Sequence, residues 1–362
     1  MSTLHESSPH EIALLRLAAQ RVIDPLATPA DVVGWLTALQ AQDDAGALTS
    51  VALRSAGRSR AEVVAAFDAG QIVRSWPMRG TLHTVLAADL GWMLELMTPR
   101  PRAAAAKRRP QLGLSEADVT RAQDLAVAAL VTGSALPDAT PGLTRAELLA
   151  VWDDAGLATS GGRGYHLIVE LAQRGVLCLG PLRNGTQVFV HLDAWVPEPR
   201  RPDRDEALGE LALRYFRGHG PATVKDLIRW TGLTAADARA GTAAVRDRLD
   251  VITGTEYLLD PATPQRLADH RAEARGVVLL PGFDEVILGY ADRTATLSAE
   301  FADRIVPGGN GVFRPTVVAD GRAVGTWRHV GKGAARRIEA TAFANFDDDV
   351  AAAIPDVYAR LP

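Results

Sequence analysis

Two neutral amides, Gln40 and Gln42, flank a single alanine where the apolar stretch "WLTALQAQDDAGALTS" (residues 35–50) turns polar. A primary amide offers two N–H donors and a carbonyl acceptor, and it does not titrate. Such a pair can hold a water or a polar substrate in a fixed orientation without itself taking up a proton. The other reading is structural: amides at the end of a helix capping it and satisfying its last backbone groups. Residues i and i+2 lie on different faces of a helix but on the same side of an extended segment. One site shared by both amides therefore requires the preceding helix to have ended by about Leu39.

Other chemistries find less support. Cys178 is the only cysteine, which excludes internal disulfides and cysteine-based zinc sites. The eight histidines are scattered without metal-ligand spacing, so neither a metal nor another cofactor is expected. Asp153-Asp154 and Asp347-Asp348-Asp349 fall at predicted helix ends, where solvated carboxylates are ordinary. The glycine-rich "RIVPGGNGVFRP" lacks the Lys-Ser/Thr ending of a phosphate-binding loop and reads as a tight turn between strands. No Ser/His/Asp set is discernible. The N-terminus has no basic segment followed by an apolar core, and no apolar run approaches the ~20 residues that span a bilayer. A cytoplasmic protein is expected.

The elements that must position the glutamines repeat. Thr28-Pro-Ala-Asp31, Thr144-Arg-Ala-Glu147 and Thr223-Val-Lys-Asp226 each read as a helix start followed by an apolar face and a tryptophan. The second and third copies continue into another helical stretch and then strand-like sequence. These are "VLCLGPLRNGTQVFVHL", with Asn184-Gly185 as a hairpin turn, and "LDVITGTEYLLD"; the first copy's hairpin is expected at residues 72–86. Helix, turn, helix, hairpin is the order of a winged helix. Proline-rich linkers at 98–110 and 195–205 separate the units. After about Ala274, short β-rich runs punctuated by Gly, Pro and the pair Asp320-Gly321 suggest a small β-barrel closed by a helix near 347–360. The expected class is α+β, with winged helices over 1–110, 111–200 and 201–274 and a barrel over 275–362.

Net charge is −4, which argues against nucleic acid until its distribution is considered. Seven basic residues lie between Gln71 and Arg109 against two acids, and seven between Asp303 and Arg337 against two. Winged helices commonly bind duplex DNA, and two basic stretches supply an anion-binding surface. A transcription regulator without chemistry is the alternative built from the same parts.

The sequence also resembles a known family. "ALQAQDDAGALTSVALRS", "IVRSWPMRGTLH", "GRGYHLIVELAQRGVLCLGP", "LALRYFRGHGPATVKDL", "LLPGFDEVILGYADR" and "VPGGNGVFRPTVVADGRAVGTWR" are similar to the AlkZ/YcaQ-type winged-helix DNA glycosylases over nearly the whole chain. The resemblance implies three tandem winged helices and a β-barrel in a C shape around duplex DNA. It implies a catalytic motif of Gln, an apolar residue, then Gln or Asp; Gln40, Ala41 and Gln42 match its Gln/Gln branch. The activity implied is hydrolysis of the N-glycosidic bond of cationic alkylated purines in DNA, with interstrand cross-links as a further substrate. Gln42 would position the water and Gln40 orient the motif, or the reverse. Arg74, Arg79, Arg314 and Arg328 would contact the DNA backbone, and the protein would act as a monomer on the nucleoid, with no membrane partner.

Overall fold

The computed structural model describes residues 8–133 and 141–362. It is a mixed α/β structure with antiparallel sheets, and it divides into two compact units: the residues up to Val63 with Leu208–Pro362, and Val64–Ala207. The expected first domain, 1–110, contributes to both.

The N-terminal segment sets the glutamines' backbone. Helix Pro29–Leu36 starts at Thr28, whose hydroxyl accepts from the Asp31 N–H while the Asp31 carboxylate accepts from the Thr28 N–H, each at 3.1 Å. The same reciprocal cap forms at Thr144/Glu147 and Thr223/Asp226. The helix stops at Thr37, a β-branched residue held at φ 70°, ψ −48°, close to the sparsely populated γ-turn region. Such a conformation costs on the order of 1–3 kcal/mol and persists only where the surroundings impose it. Here Leu36, Ala38, Leu39 and Ala41 are all buried to 1% exposure or less, so the chain is held extended in strand β1 (Ala38–Gln40) before helix Asp44–Leu53 begins.

The unit spanning Val64–Ala207 carries four antiparallel strands, β2 (Ile72–Met78), β3 (Thr81–Leu86), β4 (Leu177–Arg183) and β5 (Thr186–His191), in the order β3-β2-β4-β5. Both hairpin turns, Arg79-Gly80 and Asn184-Gly185, place two consecutive residues at positive φ, the geometry that matches the twist of a tight hairpin. The hairpins expected in separate domains thus share one sheet, joined where Arg74 pairs with Leu179. Strand edges left by two-stranded ribbons pair readily, which accounts for the junction. Trp76, Trp152 and Leu171 centre the core against the helices Glu116–Gly133, Arg145–Asp154 and Arg163–Gln173.

In the other unit, helices Arg204–His219, Val224–Thr231 and Ala235–Ala244 precede strands β6 (Asp250–Val251) and β7 (Leu258–Leu259) of two residues each, a much shorter hairpin than the sequence suggests. Four longer strands follow: β8 (Val277–Leu280), β9 (Thr316–Ala319), β10 (Arg322–Val330) and β11 (Arg337–Ala342), antiparallel in the order β11-β10-β9-β8. In place of a barrel closed by strand pairing, helix Asp348–Ala359 packs on both edge strands, β8 and β11, burying Ile354 beside Trp327. The long excursion between β8 and β9 carries "PGFDEVILGY" back to β1.

Candidate active site

Because β1 is extended, Gln40 and Gln42 meet. The Gln40 Nε2–H donates to Gln42 Oε1 at 2.5 Å, and the Gln42 backbone N–H donates to Gln40 Oε1 at 3.0 Å. Gln40 is 6% exposed, whereas Gln42 is open to solvent. Neither side chain bonds to helix Pro29–Leu36. Gln40 thus spends its amide fixing Gln42: it takes one lone pair of the Gln42 carbonyl and leaves that oxygen a second, at the exposed end of the pair.

Beneath the pair lies a buried polar network that the sequence reading did not assign. The fully buried Glu285 accepts the Gln40 backbone N–H on Oε1 at 3.0 Å and the Trp230 indole N–H on Oε2 at 2.9 Å, with His219 Nε2 3.5 Å from Oε2. Its neighbour Asp284 takes a two-pronged pair of bonds from Arg54, both at 2.8 Å, and a third from the Ser50 hydroxyl at 2.7 Å. Arg54, also fully buried, spends its remaining donors on the Gln20 carbonyl and amide oxygens at 2.9 and 3.0 Å and on the Ser50 carbonyl at 3.0 Å. The Gln20 amide then donates to the Tyr290 hydroxyl, which donates to the His219 carbonyl. A buried charge pair is tolerated only when its lone pairs and protons are matched in this way.

The two carboxylates act on opposite ends of one short segment. Glu285 holds β1 at Gln40, and Asp284 holds helix Asp44–Leu53 through Ser50 and Arg54, so residues 41–43 are pinned from both sides. The signal was present in the sequence: two adjacent acids inside the apolar run "LLPGFDEVILGY" must be paired if that run is buried.

The four arginines divide between the units. Arg314 and Arg328 come together on a cavity of about 460 Å³ that Arg304, Thr326 and Thr341 also line. Arg328 donates twice to Glu339, at 3.1 and 2.7 Å, and the Arg314 guanidinium to the Arg304 carbonyl at 3.4 Å. Arg74, inside β2, and Arg79, at the hairpin turn with Nη2 3.2 Å from His83 Nε2, belong to the other unit. Part of the first basic stretch is consumed internally. Arg102, Arg109 and Arg174 converge on Glu170 Oε1 at 3.3, 2.9 and 2.8 Å. Burial opposes ionisation of Glu170, yet these guanidiniums hold its carboxyl below the ordinary value. Among the described residues, no group of three or more His, Cys, Asp or Glu is placed to hold a metal ion, and no helix is long and apolar enough to cross a membrane.

Comparison with known proteins bears on the chain as a whole. A family model described as DNA glycosylase AlkZ-like matches residues 33–361. A Streptomyces sahachiroi protein named interstrand DNA cross-link repair glycosylase is 29% identical over 330 residues, 86% of this chain and 85% of its own length. The solved structure of Streptomyces sahachiroi DNA glycosylase AlkZ aligns with a TM-score of 0.76 at 26% identity, covering 98% of this chain and 96% of that one.

Proposed function

The chain belongs to the DNA glycosylase AlkZ-like family, and from that premise we propose that it removes N7-alkylguanine and N3-alkyladenine from duplex DNA, including N7-linked interstrand cross-links. The observation that carries the reading is the neutral amide pair itself, with Gln40 locked onto Gln42 and, among the described residues, no carboxylate hydrogen-bonded to either side chain.

A purine leaving an ordinary nucleoside departs as an anion unless an acid protonates it. An N7- or N3-alkylated purine already carries a positive charge, so when the C1′–N9 bond breaks, both electrons pass to the base and it leaves neutral. No general acid is required. The remaining tasks are to hold a water against C1′ and to stabilise an electron-poor sugar. A preorganised carbonyl dipole serves both. Gln42 Oε1, with one lone pair held by Gln40 and the other free, accepts a hydrogen bond from the water and turns that water's oxygen toward C1′. As the C1′–O bond forms, the water sheds its proton to solvent. Gln40 keeps the Gln42 carbonyl in register, and Glu285 keeps Gln40 in place.

We read residues 1–110, 111–200 and 201–274 as winged-helix segments and 275–362 as a sheet-and-helix domain. On this reading the protein works as a monomer on chromosomal DNA, with Arg74, Arg79, Arg314 and Arg328 on the backbone. The test is release of free base from a duplex containing one N7-methylguanine. Gln42→Ala is expected to slow release by about ten- to a thousandfold, the range for lost positioning and electrostatic contacts, while duplex affinity stays constant. Unchanged release by Gln42→Ala would return the pair to a purely structural role.

A further inference from the structure

A second cavity, of about 440 Å³, opens at the residue that follows the glutamine pair. Its walls include Asp43, the residue after Gln42, and Pro281-Gly282, which lead directly into Asp284 and Glu285. Basic side chains dominate the charged lining: Arg60, Arg328 and Arg336, with His329 among them, against Asp43 as the one acidic side chain. Arg328 is shared with Glu339, but Arg60 and Arg336 have no ion-pair partner among the described residues. His329 is fixed at the centre of this group, its Nδ1 2.9 Å from the Tyr358 hydroxyl. Burial, then Arg336, then Arg60 hold its imidazole below the ordinary value, so the fields of both arginines converge on it.

Resting on the glycosylase reading above, we propose that this cavity binds the phosphodiester of the lesion strand adjacent to the nucleotide whose glycosidic bond is cut, with Arg60 and Arg336 sharing one phosphate and His329 donating to it. The placement follows from the chain. Consecutive Cα atoms are about 3.8 Å apart, so a sugar held at Gln42 has its neighbouring phosphate within reach of a cavity whose wall begins at Asp43. A phosphate accepts several N–H donors at once, which suits two guanidiniums that no carboxylate among the described residues occupies. His329 suits either protonation state. When neutral, with Tyr358 donating to Nδ1, Nε2 bears the proton and donates; when charged, Nδ1–H donates to the Tyr358 oxygen and Nε2–H is still a donor. Asp43, on the glutamine side, keeps the phosphate toward the arginines and away from the water.

The experiment is a cycle between protein charge and phosphate charge. Duplex affinity is measured with a methylphosphonate placed singly at each phosphate within three nucleotides of the lesion, for wild type, Arg60→Ala and Arg336→Ala. The expected result is one flanking position where neutralisation weakens wild type by about five- to tenfold and weakens Arg336→Ala no further, as for two groups in direct contact. The salt slope should fall by about 0.9 in either variant and by about 0.9, not twice that, in the double variant, since one phosphate is shared. Arg336→Lys should keep most of the coupling. Additive losses at every position, or coupling only to phosphates distant from the lesion, would overturn the proposal. Base release is scored on the same duplexes. Release without coupling refutes the phosphate site and leaves the glycosylase reading standing; coupling without release does the opposite.

Discussion

Glu285→Gln separates positioning from folding more sharply than any other change at this site. Glu285 accepts two buried donors, the Gln40 backbone N–H at 3.0 Å and the Trp230 indole at 2.9 Å. Glutamine has the same shape, but only one of its two terminal atoms accepts, so one donor must face an NH2 group. A buried donor left unmatched costs about 1–3 kcal/mol. Against a total stability of roughly 5–15 kcal/mol the variant remains folded, melting a few degrees lower. Alanine strands both donors and costs about twice as much, so glutamine is the informative substitution. If the donor lost is the Gln40 N–H, β1 is released at the residue that orients Gln42. A misplacement of about 1 Å in a positioned group costs on the order of a hundredfold in rate. Single-turnover release of N7-methylguanine at 25 °C, well below the melting transition, should therefore fall by about ten- to a hundredfold while duplex affinity is unchanged. In a Gln40→Ala background the same substitution should cause little further loss, because the Gln40 side-chain amide through which it orients Gln42 is already gone. A variant that melts lower yet turns over at the wild-type rate would refute this reasoning and leave Glu285 a structural residue only.

Three further outcomes follow from the same geometry. Gln42→Asp should retain part of the wild-type rate and acquire a dependence on pH across the carboxylate range that the wild-type pair lacks; a pH–rate profile of both proteins checks this. Glu170 titrates below its ordinary value of 4.5 in the folded protein, so the stability it contributes is present above that value and lost as pH falls through the folded one. Melting temperatures of wild type and Glu170→Gln, followed downward from pH 6, should converge below about pH 4.5. His329 sits below its usual range in the free protein, and a bound phosphate opposes the Arg336 and Arg60 fields that hold it there. DNA binding then takes up a proton. Affinity should be greatest at low pH and decline as pH rises through the value His329 has in the complex, and His329→Gln should flatten that decline relative to wild type. The groups facing His329 are Tyr358 from the last helix, Arg328 on its own strand, Arg60 and Arg336, with Asp43 across the cavity.

What could be read from the sequence was what is written locally. The caps at Thr28, Thr144 and Thr223 depend on residues three apart, and Asn184-Gly185 specifies its own turn. The i, i+2 spacing of Gln40 and Gln42 was enough to require an extended segment, and β1 provides it. What the sequence concealed are pairings made over long separations. The bond from Gln40 to Glu285 spans 245 residues, and that from Arg54 to Asp284 spans 230, so no local pattern relates them. Likewise, Arg102 and Arg109 appear in sequence as part of a free basic stretch, and only the fold reveals that Glu170 gathers them in. The joining of two hairpins through β2 and β4 escaped for the same reason: an edge strand does not encode which partner it will meet.

The central claim is that two neutral amides suffice because the substrate supplies its own leaving-group charge. Base release should be compared on matched duplexes containing a single N7-methylguanine or a single uracil, under single-turnover conditions. The account predicts release of N7-methylguanine that depends on Gln42, and none of uracil, whose departure as an anion calls for a proton that two neutral amides do not supply. Excision of uracil at a rate matching that of N7-methylguanine would contradict it.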